Sequence, residues 1–434
     1  MPEGVRRRPS LVESAAGLLL YLGLLVWRAP VIVLEGRFWA EEAFFFQYAR
    51  HADTLDALLA APLGYLNLPA SLAAWLANQV PLELAPRVTV LSALLVQILP
   101  AALLLWGLVP GLRRWWQRWL AVALLLVLPP SQEVWLNSVN AQFYLAISAA
   151  LVLVAPAGQG AGAIVRRGLL LGIGLGGLPA LFLTPLFWWR AYAEGSRERL
   201  GQALVLSLCG LLQASLVMQV VATGVRAGEV YWTAFPLVVL AKQVALPLLG
   251  SAATDRLASV LVPELTAPGQ DWLAALLWSL VAGLWLLGLW AAWRIDSLPA
   301  RYLLLASIAM VALGFWGGAD LNRPAVALGH ASATYAGRYY YAPNVLLALA
   351  LLSLCGASRG FWQRGALLAV LGWMVVLGGL DFIHSASRYR VFFSGPGWSA
   401  EVTRWRERGG HTLAIWPESW YVRVAGTSAA GSPP

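Results

Sequence analysis

The chain has 434 residues, of which 59% are hydrophobic and 12% charged; its mean hydropathy is +0.68 and its formal net charge +9. A soluble domain carries about 25% charged residues, so this composition excludes a soluble globular protein and predicts an all-α polytopic membrane protein. The positive charge does not mark nucleic-acid binding, because the arginines fall in short clusters between apolar runs.

The N-terminal stretch VRRRPSLVESAAGLLLYLGLLVW has the layout of a signal peptide. Its apolar run is too long, however, and no small-residue cleavage site follows, so it reads as an uncleaved first span. A membrane helix needs about 20 apolar residues. Runs of that kind lie at 15–34, 87–109, 141–156, 200–222, 272–293, 301–318, 338–356 and 366–383, with a shorter one at 119–130. Between the first two lies GRFWAEEAFFFQYAR, residues 36–50, where adjacent Glu41 and Glu42 sit among aromatics. The following apolar stretch 66–82 contains Asn67, Pro69, Asn78 and Gln79 and is expected to lie along the outer surface.

The Gly-rich run 168–190 has Pro179 in its middle and arginines at both ends. Two short helices forming a hairpin keep Arg166 and Arg167 on the same side as Arg190, Arg197 and Arg199, as the positive-inside rule favours. Residues 236–250, with Lys242 and two prolines, read as re-entrant or interfacial. The arginines near residues 6–8, 113–118, 166–167, 190–199, 294–301 and 359–364 can then all be cytoplasmic. Roughly ten to twelve helices reach membrane depth, with the N-terminus cytoplasmic and the C-terminus outside. Five outer segments result, 35–86, 131–140, 223–270, 319–337 and 384–434, and they hold most of the remaining polar residues.

The chain reads as a membrane domain, 1–384, and an extracytoplasmic tail, 385–434. In the tail, WSAEVTRWRERGG reads as a short amphipathic helix ended by glycine, and TLAIWP and WYVRV as short strands. Every basic residue except Lys242 is Arg, which reads as coding bias. Cys209 and Cys355 lie in apolar stretches and read as packing residues, without a disulfide framework or thiolate metal site.

This layout resembles the GT-C glycosyltransferases, polytopic enzymes that take a sugar from a polyprenyl-phosphate carrier on the outer face of the membrane. The resemblance rests on the acidic pair in RFWAEEAFFFQYAR and on the proline-containing surface helix in YLNLPASLAAWL. It continues through the span APRVTVLSALLVQILPAALLLW with its basic end GLRRWWQR, the polar loop PPSQEVWLNSVNAQFYLAISAALVL and the Gly-rich hairpin. Protein O-mannosyltransferases, aminoarabinose transferases and arabinofuranosyltransferases belong to this group. The pair here is Glu-Glu where the family usually has Asp-Glu, and Asn140 stands where many relatives carry an acid. The resemblance implies a GT-C-like bundle in a bacterial inner membrane with the active site facing the periplasm. The expected activity is hexosyl or pentosyl transfer, with a polyprenyl-phosphate sugar as donor and a glycan, lipid or protein acceptor; no cofactor and no metal are expected.

Such transfer needs a base for the acceptor hydroxyl, cations for the departing phosphate and an apolar groove for the carrier tail. The first member of the family's pair matches the catalytic acid, so Glu41 is the expected base, with Glu42 orienting it, binding acceptor or capping a helix. The alternative for both is a capping pair opposing a helix dipole. Arg37, four residues before Glu41, pairs with it if the helix continues, and Arg37 and Tyr339 are also expected among the substrate-binding residues. Glu133 is a second acid, or a solvated loop residue. Arg338 in GRYYYAPNV is expected to meet the phosphate, or to snorkel beside an aromatic belt that begins at Tyr339. Arg226, Lys242, Arg256 and Arg323 are further cations that also fit as interfacial anchors. Arg28 either faces a cavity or marks the outer end of its span.

Asn137, Asn140 and Gln142 can bond sugar or acceptor hydroxyls, or cap a tight turn. Tyr335, Trp398 and Trp416 can stack on sugars or belong to the belt. His51, His330, His384 and His411 lack metal-ligand spacing. Two other classes stay open: a transporter or flippase of lipid-linked sugars, and a catalytically inactive GT-C-like assembly protein.

Overall fold

The first helix starts where the sequence supplies a cap. Ser10 Oγ accepts from the Glu13 amide at 3.1 Å while the Glu13 carboxylate accepts from the Ser10 amide at 3.3 Å. The computed structural model describes residues 10–112, 114–222, 231–318, 324–408 and 412–424. Among these, eight helices are long and apolar enough to cross a membrane: Leu11–Arg28, Leu82–Leu105, Arg197–Gln219, Trp232–Leu249, Asp271–Arg294, Leu298–Gly318, Arg338–Ala357 and Phe361–Ile383. The chain is an all-α multi-pass membrane protein. The run 15–34 is not one helix, because Ala29 breaks it and Pro30 opens a separate short turn to Glu35.

Helix Ala141–Val154 is the centre of the bundle. It is mostly apolar, every residue is buried, and it packs on helices Leu82–Leu105, Leu298–Gly318 and Arg338–Ala357. Its length is only about 21 Å at 1.5 Å per residue, against a hydrocarbon core of about 30 Å. The polar loop before it is therefore drawn inward: Trp135, Asn137, Ser138 and Asn140 are buried.

The Gly-rich run forms two helices, Ala161–Leu175 and Thr184–Glu194, broken at Gly176 to Leu178. At the break Gly177 has φ +141°, and a side chain there would overlap Gln142 at the start of the central helix. At the other end Arg166 meets Glu198 at 3.6 Å, while Glu194 accepts from Arg190 at 2.5 Å and from Arg199 at 2.8 Å. The two arginine clusters thus meet at one end of the bundle, opposite Gln142.

The apolar rod from Trp232 to Leu249 ends level with the middle of helix Phe361–Ile383. Trp373, in the middle of helix Phe361–Ile383, donates to the Leu248 carbonyl at 2.8 Å. The following helix, Ser251–Thr266, turns back, and Asp255 accepts from the Ala333 amide at 2.7 Å just before the start of helix Arg338–Ala357. The rod contains a π-turn at Leu240–Ala245.

In the tail, helix Trp398–Arg408 is followed by an antiparallel hairpin, Thr412–Ile415 with Trp420–Arg423. Phe38, Phe46, Ala77 and Ala85 form one apolar cluster with Trp398, Val402, Leu413, Ile415 and Val422. The tail and the first loop therefore lie on the same face.

Candidate functional site

The acidic pair is set by a loop that leaves little choice at Gly36. Its φ is +78°, and a side chain there would meet the Arg87 amide nitrogen at 2.5 Å. The next residue, Arg37, is 2% exposed and donates to the Trp135 carbonyl at 2.5 Å and to the Phe392 carbonyl. Helix Glu42–His51 starts only after Glu41, so the expected Arg37–Glu41 pairing does not form. Arg37 clamps three segments together, and burial lowers its pKa to about 10.

Glu41 and Glu42 diverge. Glu42 is 2% exposed and accepts three bonds: from the Trp39 amide at 2.7 Å, the Ser138 amide at 2.7 Å and the Ser138 hydroxyl at 2.6 Å. It ties the loop that carries the acidic pair to the polar loop. Burial raises its pKa, and the Ser138 and Trp39 bonds and the charge of Arg37 only partly oppose this. Glu41 Oε1 instead accepts from Arg338 Nη1 at 3.1 Å, and its Oε2 is buried without a partner.

Glu133 completes the site. Its Oε1 lies 3.0 Å from Arg338 Nη1 and its Oε2 accepts from the Arg338 backbone amide at 3.0 Å. That amide is one of the orphan donors at the start of helix Arg338–Ala357. Glu133 is therefore an ion-paired helix cap, not a solvated loop acid. Asn137 and Asn140 donate to the Glu133 carbonyl at 2.6 and 2.9 Å, and Asn137 Oδ1 accepts from the Asn140 amide at 2.7 Å. They hold Glu133 in place.

Around this core, Tyr339 places its ring 5.2 Å from the Arg338 guanidinium and its hydroxyl 3.4 Å from Nη2. Gln142 donates to the Tyr65 hydroxyl at 3.2 Å. Burial chiefly raises the Tyr65 pKa; the Gln142 bond opposes this, and Tyr339, Arg338 and Glu41 act on it through their charges. Tyr65, counted in the sequence only as one aromatic among many, thus belongs to the site.

Lys242 is not an interfacial anchor. It is fully buried on the π-turn and donates to the Tyr335 and Ala333 carbonyls at 2.9 and 3.2 Å, fixing the turn that leads to Arg338. On the same side His330 stacks on Tyr339, with ring centroids 6.2 Å apart and an interplanar angle of 8°; its Nδ1 is 2.7 Å from the Tyr340 hydroxyl. Burial chiefly lowers the His330 pKa to about 4. Trp398 and Trp416 are buried against the first loop, with Nε1 donating to the Leu82 and Pro396 carbonyls, whereas Tyr335 is half exposed. Arg28 is also buried, bonding Ser131 and Ser385 at 2.9 Å with the Trp135 ring 4.1 Å away. Arg256 is exposed. Arg226 and Arg323 lie outside the described residues. Among the described residues no group of three His, Cys, Asp or Glu side chains is placed to hold a metal ion. Cys209 and Cys355 are free and buried.

The arrangement brings two carboxylates to one guanidinium at the mouth of a buried polar loop. Among known proteins, no family model, no curated sequence and no solved structure matches this chain.

Proposed function

We propose that the protein is a GT-C-type membrane glycosyltransferase. It moves a sugar from a polyprenyl-phosphate carrier to an acceptor hydroxyl on the outer, periplasmic face of a bacterial inner membrane. The observation that carries this reading is Glu41: one oxygen on Arg338, the other buried and unpartnered. A carboxylate with a free acceptor oxygen beside a cation is what a hydroxyl attacking a phosphate-bearing sugar requires.

In the proposed reaction the acceptor oxygen forms a bond to the anomeric carbon. The bond from that carbon to the phosphate oxygen breaks, and both its electrons leave with the polyprenyl phosphate. The acceptor proton passes to Glu41 Oε2. Arg338 takes the phosphate charge in place of part of its pairing with Glu41 and Glu133. Glu133 keeps Arg338 aligned through the backbone amide, so the guanidinium can turn toward the donor without losing its anchor. Proton transfer of this kind contributes about 10²–10⁴-fold, and a preorganised donor aimed at developing charge about 10²–10³-fold.

One observation favours a second reading, a transporter or flippase of lipid-linked sugars. A buried lysine on a π-turn of a half-crossing helix is the kind of broken element on which transporters build midplane sites. Radiolabelled polyprenyl-phosphate sugar in membranes separates the two. Label appearing in a new covalent product supports transfer, and label that only changes leaflet supports transport.

A further inference from the structure

The end of the bundle opposite the Glu41 site carries a second charged cluster. Arg166 and Arg167 come from helix Ala161–Leu175, Arg190 and Glu194 from Thr184–Glu194, and Arg197, Glu198 and Arg199 from the start of Arg197–Ala222. The two carboxylates are already engaged. Glu194 holds Arg190 and Arg199 at 2.5 and 2.8 Å; Glu198 faces Arg166 at 3.6 Å and accepts from Gln202 at 2.8 Å. Five guanidiniums thus face two carboxylates, and among the described residues Arg167 and Arg197 have no ion pair. Arg167 Nε is buried without any partner.

Gly201 sets Arg167 against the helix that Arg197 opens. A Cβ there would lie 3.1 Å from Arg167 Cδ and 3.2 Å from Nε, so the glycine lets Arg167 lie against the helix surface. Gly201 is four residues after Arg197, one turn along the same face. Arg197 also opens a 26-residue helix, whose first amides have no intrahelical partner. On the preceding helix Trp189 and Tyr192 are exposed, the placement of aromatics at headgroup depth. Arg199 donates to Ala155, at the end of the central helix away from Asn140. The central helix therefore separates this cluster from the Glu41 site by about 20 Å.

We propose that Arg167 and Arg197 bind the phosphate of an anionic phospholipid in the leaflet opposite the Glu41 site. Two guanidinium forks suit a phosphodiester better than a point charge does. The exposed flanking aromatics Trp189 and Tyr192 favour a lipid over free phosphate as its source. The inference stands apart from the proposed transfer reaction.

Native mass spectrometry of the purified full-length protein tests it, with phosphatidylglycerol, phosphatidylcholine and inorganic phosphate as separate probes. Phosphatidylglycerol should be retained over phosphatidylcholine. Arg167→Gln with Arg197→Gln should lower its occupancy on the order of tenfold, given the usual strength of charged hydrogen bonds. Gly201→Leu should produce the same loss with no change of charge. Arg197→Gln alone, at an exposed side chain, reads the loss if the double variant does not insert. Equal retention of phosphatidylcholine, unchanged phosphatidylglycerol binding in the variants, or its displacement by millimolar inorganic phosphate would overturn the proposal.

Discussion

Glu41 Oε1 lies 3.1 Å from Nη1 of Arg338 across 297 positions of sequence, and Glu133 reaches the same nitrogen at 3.0 Å. The neighbouring Glu42 shares none of this, because its three donors come from Trp39 and Ser138. Two adjacent carboxylates therefore carry separate duties, one held ready at a cation and one joining two loops.

Glu42→Gln should act on stability before activity. The amide keeps the shape but loses the charge that Trp39 and Ser138 address, and hydrogen bonds to charged groups are worth about 1.5–3 kcal/mol each. Thermal unfolding in detergent should show a lowered midpoint, with transfer per folded molecule largely kept. A variant as stable as the parent but inactive would assign Glu42 to the chemistry.

Arg338→Lys keeps the positive charge and loses the fork that spans Glu41 and Glu133. Use of the lipid donor should weaken on the order of 10²-fold, in the range for removing one preorganised donor, with insertion unchanged. Unaltered donor use in Arg338→Ala would place the phosphate elsewhere.

His330, on a turn outside the spans, supplies a pH test. Its ordinary pKa of 6.5 falls to about 4 through burial, with the cations Lys242 and Arg338 adding to the effect. The unfolded chain therefore binds a proton at a higher pH than the folded protein does. This contribution to stability is complete above pH 6.5 and is lost as the pH falls toward about 4. Melting midpoints measured across that interval should decline less steeply in His330→Gln. Identical slopes in parent and variant would contradict the burial of a neutral imidazole.

The rod ending at Leu249 makes a further distinction. Ala252→Cys, in a background without Cys209 and Cys355, should resist an impermeant thiol reagent applied from the face opposite the tail. Ready labelling from that face would mean that the rod crosses completely. A periplasmic reporter fused after Val424 should be active, because the tail packs on the loop that carries Glu41, which the proposed function places outside, through Trp416 and the Ala40 amide, 2.6 Å from the Trp416 carbonyl. An inactive reporter would reverse the assignment of sides.

Much of this architecture is legible in the sequence because its signals are local. The apolar runs, the amphipathic WSAEVTRWRER helix, the strand pair of the tail and the glycine break before Pro179 all follow from composition and period. The site is legible only in part. Glu41, Glu133 and Arg338 each stand out as charges in an oily chain, but their convergence depends on contacts 205 and 297 positions apart. Arg37 misleads because helical spacing pairs it with Glu41 only if the helix already runs from Arg37, and it begins at Glu42 instead. Lys242 resembles an interfacial anchor until the π-turn and the fold-back of the next helix bury it.

The central claim is that Glu41 takes the acceptor proton. The most direct measurement is transfer of radiolabelled sugar from a polyprenyl-phosphate donor in membranes containing Glu41→Gln, with donor binding followed in parallel. The account predicts binding retained and transfer reduced by about 10²–10⁴-fold. Full transfer by the Glu41→Gln, Glu42→Gln double variant would contradict it.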